Sequence, residues 1–143
     1  MQKKNTFIIY TFIFTLVLFM MIFLVFKTDK KTDAKIKQYI NDLGWNITEN
    51  AEISYIKIPS EFNETFSIYN SIQMKDDNDL SRFSGKTVKM FTYPVINHSA
   101  SESSSVYISV LLYKDEIIGS VIYSNSKESF IYKTTNNSEQ IAK

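Results

Sequence analysis

The chain has 143 residues, no cysteine, one histidine and a formal net charge of +1. Without thiols it has no disulfide, no thiolate nucleophile and no cysteine–histidine zinc site, and a single imidazole cannot form a histidine pair on a metal. So even a charge balance also lacks the basic footprint of a nucleic-acid binder.

Residues 7–26 (FIIYTFIFTLVLFMMIFLVF) form an uncharged run of twenty residues. At about 1.5 Å per residue, a helix of that length spans roughly 30 Å, the thickness of a bilayer's hydrocarbon core. Thr11 and Thr15 can return their hydroxyls to helix carbonyls, so they cost little in lipid. The run exceeds the roughly 7–15 apolar residues of a cleavable signal, and it leads into Lys27-Thr28-Asp29-Lys30 without small residues for a cut. It reads as an uncleaved signal anchor. Lys3 and Lys4 precede it; Lys27, Lys30, Lys31, Lys35 and Lys37 follow. That count favours a cytoplasmic C-terminus, but long domains translocate largely regardless of charge, so the count does not fix orientation.

Setting aside Lys3 and Lys4, 14 basic residues stand against 15 acidic ones after the run. The 117 residues from Lys27 onward suffice for one domain with its own core. The expected organisation is a short tail over residues 1–6, a transmembrane helix over 7–26, an extracytoplasmic α+β domain over 27–134 and a flexible polar tail over 135–143.

Thr32 can cap a helix on which Ile36, Tyr39, Ile40 and Leu43 recur at helical spacing, with Gly44 as the stop. Residues 45–48 and 52–58 read as extended, with Ile53, Tyr55 and Lys57 on one side and Ser54, Ile56 and Ile58 on the other. Pro59 ends that strand. Ser60 is an N-cap candidate, with Glu61 and Glu64 favourable to the helix dipole. Phe62, Phe66, Tyr69 and Ile72 form the apolar stripe of the second helix. Gln73 falls about 20° from the centre of that stripe, so its amide needs partners inside; Asn70 lies at the edge.

The acidic run over residues 76–79 ends the helix, and residues 80–83 form a docked turn. Residues 87–96, 106–113 and 117–124 are β-branched and aromatic strands, the last two joined as a hairpin, with a short strand over 130–132. Pro94 places the first of these at an edge or a bulge, and Gly119 marks a bulge or close approach. The fold class is α+β: a single N-terminal transmembrane helix, then a small domain whose antiparallel sheet is packed by two helices on one face.

Catalytic motifs are imitated rather than present. Ser54 and Lys57 match S-x-x-K but lie on opposite sides of a strand. Gly85-Lys86-Thr87 resembles the end of a phosphate loop, yet Leu80 stands where glycine is required. Asp76, Asp77 and Asp79 lack the glycine and glutamate of a calcium loop. His98, at a strand-to-loop junction, reads as a surface residue. The expectation is no catalytic residue, no metal and no cofactor, hence no enzyme; a pocket joining His98 to a carboxylate and a serine would revive one. Tyr93, Tyr107, Tyr113 and Tyr123 stand among Val and Ile on the strands, where they either pack cross-strand or line a recognition groove.

Leu43-Gly44-Trp45, Ile58-Pro59 with Phe62, Tyr69-Asn70 with Gln73, Asp79-Leu80 with Phe83 and Gly85-Lys86, Tyr93 with Val95 and Asn97, and Ile118-Gly119 occur in that order. The combination resembles an uncharacterised family of small membrane-anchored domains from Gram-positive spore-forming bacteria. Asn78, His98 and Ser120 depart from its pattern. The resemblance implies an N-terminal anchor with the domain outside the cytoplasm, supplies no activity, and draws attention to Asn70, Gln73 and Lys86. The expected function is a non-enzymatic binding or interaction domain, touching the bilayer through residues 7–26 and a protein, peptide or glycan through the domain, with no nucleic acid. The alternative is a structural subunit associating through its transmembrane helix.

Overall fold

The computed structural model describes residues 2–101, 105–125 and 130–135; within the first helix, side chains are described for residues 13–20 and from Lys30 onward. The chain divides into two units, Met1–Lys35 and Ile36–Lys143.

The first unit is helical. Helix α1 runs Gln2–Asp42, so the cap expected at Thr32 does not exist. Nothing between residues 27 and 31 is a proline or glycine, and the helix has no reason to stop there. Among the described residues no helix is long and apolar enough to cross a membrane. Seven of the eight side chains over residues 13–20 are large and apolar, each at least 50% exposed.

The second unit holds an antiparallel sheet of five strands in the order β1-β2-β3-β4-β5. The strands are β1 Glu52–Lys57, β2 Thr87–Val95, β3 Val106–Tyr113, β4 Glu116–Ser124 and β5 Ile131–Lys133. Helix α2, Glu64–Met74, and a 3₁₀ turn, Leu80–Phe83, connect β1 to β2. The acidic run does end α2, and residues 80–83 do dock. Past Thr135, the expected polar tail lies outside the described residues.

Strand alternation gives the sheet two apolar faces, covered by different elements. On the first, Phe91, Tyr93, Val95, Ile108, Val110 and Ile122 pack with Ile36 and Ile40 of α1 and with Trp45. On the second, Val88 and Leu111 pack with Ile58 and Leu80, beneath Phe62, Phe66 and Tyr69. Helices therefore lie on both faces, not one, because each of the two amphipathic stripes needs its own apolar surface to bury. Each fully buried Ile, Leu or Phe contributes about 1.5–3 kcal/mol.

Gly44, at φ +83°, stops α1 as its position predicts. The N-cap of α2 is Asn63, whose side chain accepts the Phe66 N–H at 2.8 Å. Ser60 lies before the helix, its carbonyl taken by the Ser84 hydroxyl. Pro94 sits on neither an edge strand nor a bulge, since β2 lies between β1 and β3. Its missing N–H falls beyond the β1 pairing, which stops at Glu52↔Thr92; only the isolated bridge Ile47↔Val95 continues there. The predicted irregularity at Gly119 is real: the β3–β4 register shifts between Leu111 and Leu112, which pair with Gly119 and Ile117.

Candidate functional site

The inward face of α2 carries polar side chains that fasten it to its surroundings. Asn70 is 8% exposed and Gln73 1%. The Leu80 N–H donates to Asn70 Oδ1 at 2.8 Å, and Asn70 Nδ2 donates to Asp79 Oδ1 at 3.1 Å. That bond is the leading cause holding the Asp79 carboxyl below its usual range, with Ser81 donors next. Gln73 Oε1 accepts the Ser120 N–H at 2.8 Å, whereas its Nε2 has no hydrogen-bond partner among the described residues. Burial pushes the Tyr69 phenol well up, Tyr123 adds to the rise, and the Gln73 amide opposes it from short of bonding geometry.

Beyond Ser120 a chain of hydroxyls links α1, β4 and the residue that follows β5. The Ser120 hydroxyl bonds the Tyr39 hydroxyl at 2.8 Å and also the Thr134 hydroxyl. The Thr134 carbonyl accepts the Trp45 indole N–H at 2.8 Å. Beside this chain opens a cleft of about 540 Å³. Leu43, Ile117 and Tyr39 give it apolar lining; Lys75, Asp76, Asp77 and Asn78 contribute from the turn after α2, and Lys133 and Thr135 from the end of the sheet. The Thr135 hydroxyl donates to Asp76 Oδ1 at 2.8 Å. Paired lysines and aspartates over an apolar lining suit a small polar ligand with both donors and acceptors. Among the described residues no group of side chains is assembled to hold a metal ion.

None of the seven residues singled out from the sequence lines this cleft. Asn70 and Gln73 come together on α2 as ties between elements. Lys86 is exposed, and its backbone closes the turn, accepting the Ile58 N–H at 2.8 Å and donating to Phe83 O. The tyrosines do not line one surface. Tyr93 is fully buried on the first face. Tyr107 and Tyr123 stack cross-strand on the second at 5.7 Å, and Tyr113 packs against the Phe83 ring at 5.5 Å. Residues one apart on a strand point to opposite faces, and Tyr93 differs in parity from its partner-strand neighbour Tyr107, which pairs with Pro94.

His98 is not a surface residue. It is 5% exposed, its ring between those of Trp45 at 5.6 Å and Phe130 at 5.1 Å. Nδ1 accepts the Ala100 N–H at 3.0 Å, and Nε2 lacks a hydrogen-bond partner among the described residues. Burial lowers its pKa. No sequence signal joins the cleft residues to one another, because segments from residues 39 to 135 meet there only in the fold.

No curated protein and no solved structure matches the chain. A family model described as a domain of unknown function (DUF4830) matches residues 39–122, from the last turn of α1 to within β4. That is more than half of the chain, which therefore belongs to the DUF4830 family.

Proposed function

We propose that this chain is a single-pass membrane protein, anchored through residues 7–26, whose C-terminal domain stands outside the cytoplasm and acts by binding rather than by catalysis. The observation that carries the anchor is the exposure of Ile13, Phe14, Leu16, Val17, Leu18, Phe19 and Met20, all at least half open. Consecutive helical residues point to every side of the axis, so this segment is apolar all round. A surface helix of a water-soluble protein has one apolar stripe and one polar face. Lipid removes the cost of the remaining apolar surface, about 25 cal/mol for each Å².

The binding role is supported by the cleft beside Tyr39 and Asp76 and by the half-buried Tyr107–Tyr123 pair, whose rings offer apolar contact and whose hydroxyls offer hydrogen bonds. The cleft can take a small polar group of a peptide or glycan, and the tyrosine pair offers apolar and hydrogen-bonding contact to such a partner. The test is fractionation of intact cells, followed by alkaline carbonate extraction and external protease. The expected result is a chain that stays with the membrane and whose domain is cut from outside. Release by carbonate overturns the anchor, and protection from protease overturns the orientation. Replacing residues 7–26 by an unrelated apolar helix should leave binding intact; its loss would favour a subunit that associates through the span.

A further inference from the structure

The lysines that follow the apolar run lie on one side of α1. At about 100° per residue, Lys27, Lys30, Lys31 and Lys35 occupy positions within an arc of about 140°, while Asp29 and Asp33 fall on the other side. Thr32 and Ile36 share that other side and are 8% and 0% exposed, whereas Lys30, Lys31 and Lys35 are exposed. The basic arc is therefore the open side of the helix. The Lys30 and Lys31 ammonium groups have no partner among the described residues, while Lys35 and Lys37 already interact within the chain. Depth separates these lysines as well. With hydrocarbon ending at Phe26, a rise of about 1.5 Å per residue puts Lys30 about 6 Å and Lys31 about 7.5 Å beyond it. Each headgroup layer is roughly 5–7.5 Å thick, half the difference between about 30 Å of hydrocarbon and about 40–45 Å overall. Lys35, at about 13.5 Å, lies past that layer.

We propose that Lys30 and Lys31 bind the phosphate groups of anionic phospholipids, giving the protein a preference for such lipids over zwitterionic ones. The inference rests on the anchor reading above and adds a lipid class to it. Every phospholipid carries a phosphate, but in a zwitterionic headgroup a neighbouring cation offsets it and repels an ammonium group. Phosphatidylglycerol has no such cation, so two adjacent lysines gain most from it. Their flexible stems can lie along apolar surface while the charged ends reach the phosphates. Asp29 stands at a similar depth but on the opposite side of the helix, so it does not come between the pair and the headgroups. Depth also selects the occupant. Within the headgroup layer lipid phosphates are the nearest anions, and a soluble acidic partner would have to enter that layer to reach the pair.

The full-length protein is reconstituted in phosphatidylcholine vesicles with a trace of spin-labelled phosphatidylglycerol or spin-labelled phosphatidylcholine. Electron paramagnetic resonance reads the protein-bound fraction of each label. The expected result is association about two- to fivefold stronger for phosphatidylglycerol at low salt, with the preference shrinking as salt rises. Lys30→Gln with Lys31→Gln should cut that preference by at least half, the remainder coming from Lys3 and Lys4 at the other end of the run. Lys30→Arg with Lys31→Arg should preserve it. Lys57→Gln with Lys86→Gln, at two exposed positions of the sheet domain, makes the same change in net charge and should also preserve it. Sole-tryptophan emission from Trp45 verifies folding in each variant. Equal association of the two lipids overturns the proposal. So does a preference that K30Q/K31Q reduces by less than half, or that K57Q/K86Q reduces equally. A bound fraction of neither label would remove the anchor itself, and this inference with it.

Discussion

Gln73 Oε1 lies 2.6 Å from the point where a β-carbon on Gly119 would be, and the Ser120 N–H holds it there at 2.8 Å. The absent side chain on β4 is therefore what lets a polar group of α2 reach the sheet backbone. The register irregularity between β3 and β4 lies beside Gly119. Gln73, buried to 1% exposure, replaces water as the acceptor for a ladder N–H that would otherwise be hidden without a partner.

Gly119→Ala should destabilise the domain by about 1–3 kcal/mol, the range for forcing a methyl into a filled site. The obstructing atom ends a flexible side chain, but moving it breaks the Ser120 bond. Gln73→Ala alone should also destabilise, by about 1–3 kcal/mol for a buried donor left unmet. In the double variant the added methyl occupies space the glutamine has vacated, so the two losses should sum to less than their separate values. Urea denaturation of all four proteins measures this, and strict additivity would refute the contact.

Asn70→Ala removes the acceptor of the buried Leu80 N–H and the donor to Asp79, at an expected cost of about 1–3 kcal/mol. It also removes the first cause of the low Asp79 pKa. A carboxyl depressed by folding contributes stability that is fully present above its unfolded value of about 3.9 and is lost as pH falls through its folded value. Asn70→Ala should therefore raise the Asp79 pKa towards the ordinary range and shrink the acid-dependent part of stability. Carboxyl NMR titration follows this directly. An unchanged Asp79 titration would show that the Ser81 donors alone hold it.

Much of this frame was legible because it is periodic. Helical spacing put Gln73 on the inner stripe of α2, strand alternation sorted Ile53 and Tyr55 from Ser54 and Ile56, and Gly44 and Gly119 marked a stop and a bulge. The failures came where two residues could do one job, or where contact joins distant segments. Ser60 and Asn63 are both good caps, and only the route of the chain after Pro59 selects Asn63. Pro94 reads as an edge residue until the short β1 leaves its nitrogen unopposed. Tyr93 and Tyr107 look alike in composition and differ only in parity. Neither the cleft nor the burial of His98 has a local pattern, since Trp45, His98 and Phe130 are neighbours only once folded.

Asn97 links the end of α1 to β2. Its Nδ2 donates to Gly44 O at 2.9 Å, and its Oδ1 accepts the Asn46 N–H at 2.8 Å. Asn97→Ala should cost about 1–2 kcal/mol, since two modest hydrogen bonds are lost at a partly wet position. Asn97→Asp retains the acceptor and loses the donor, placing a charge near a helix C-terminal carbonyl. It should therefore fail to recover the loss, because a negative group is unfavourable there. Thermal unfolding separates the cases, and full rescue by aspartate would mean that the Gly44 bond contributes nothing.

His98 is the sole histidine, so its titration can be assigned without ambiguity. Burial lowers its folded pKa, which means that the folded domain resists taking the proton. The unfolded chain accepts it near pH 6.5, so between the two values the unfolded state binds more protons and stability rises with pH. Wild-type stability should therefore fall as pH drops through about 6.5 and keep falling until the lowered folded value is reached. Protonation would also remove the acceptor that Nδ1 offers the Ala100 N–H. His98→Phe keeps an aromatic ring between Trp45 and Phe130 and has nothing to titrate. Its urea midpoint, read from Trp45 fluorescence, should lose the His98-dependent slope below about pH 7, while sitting lower at pH 7 for want of the Ala100 bond. Equal slopes in the two proteins would place the ring in water rather than in the stack.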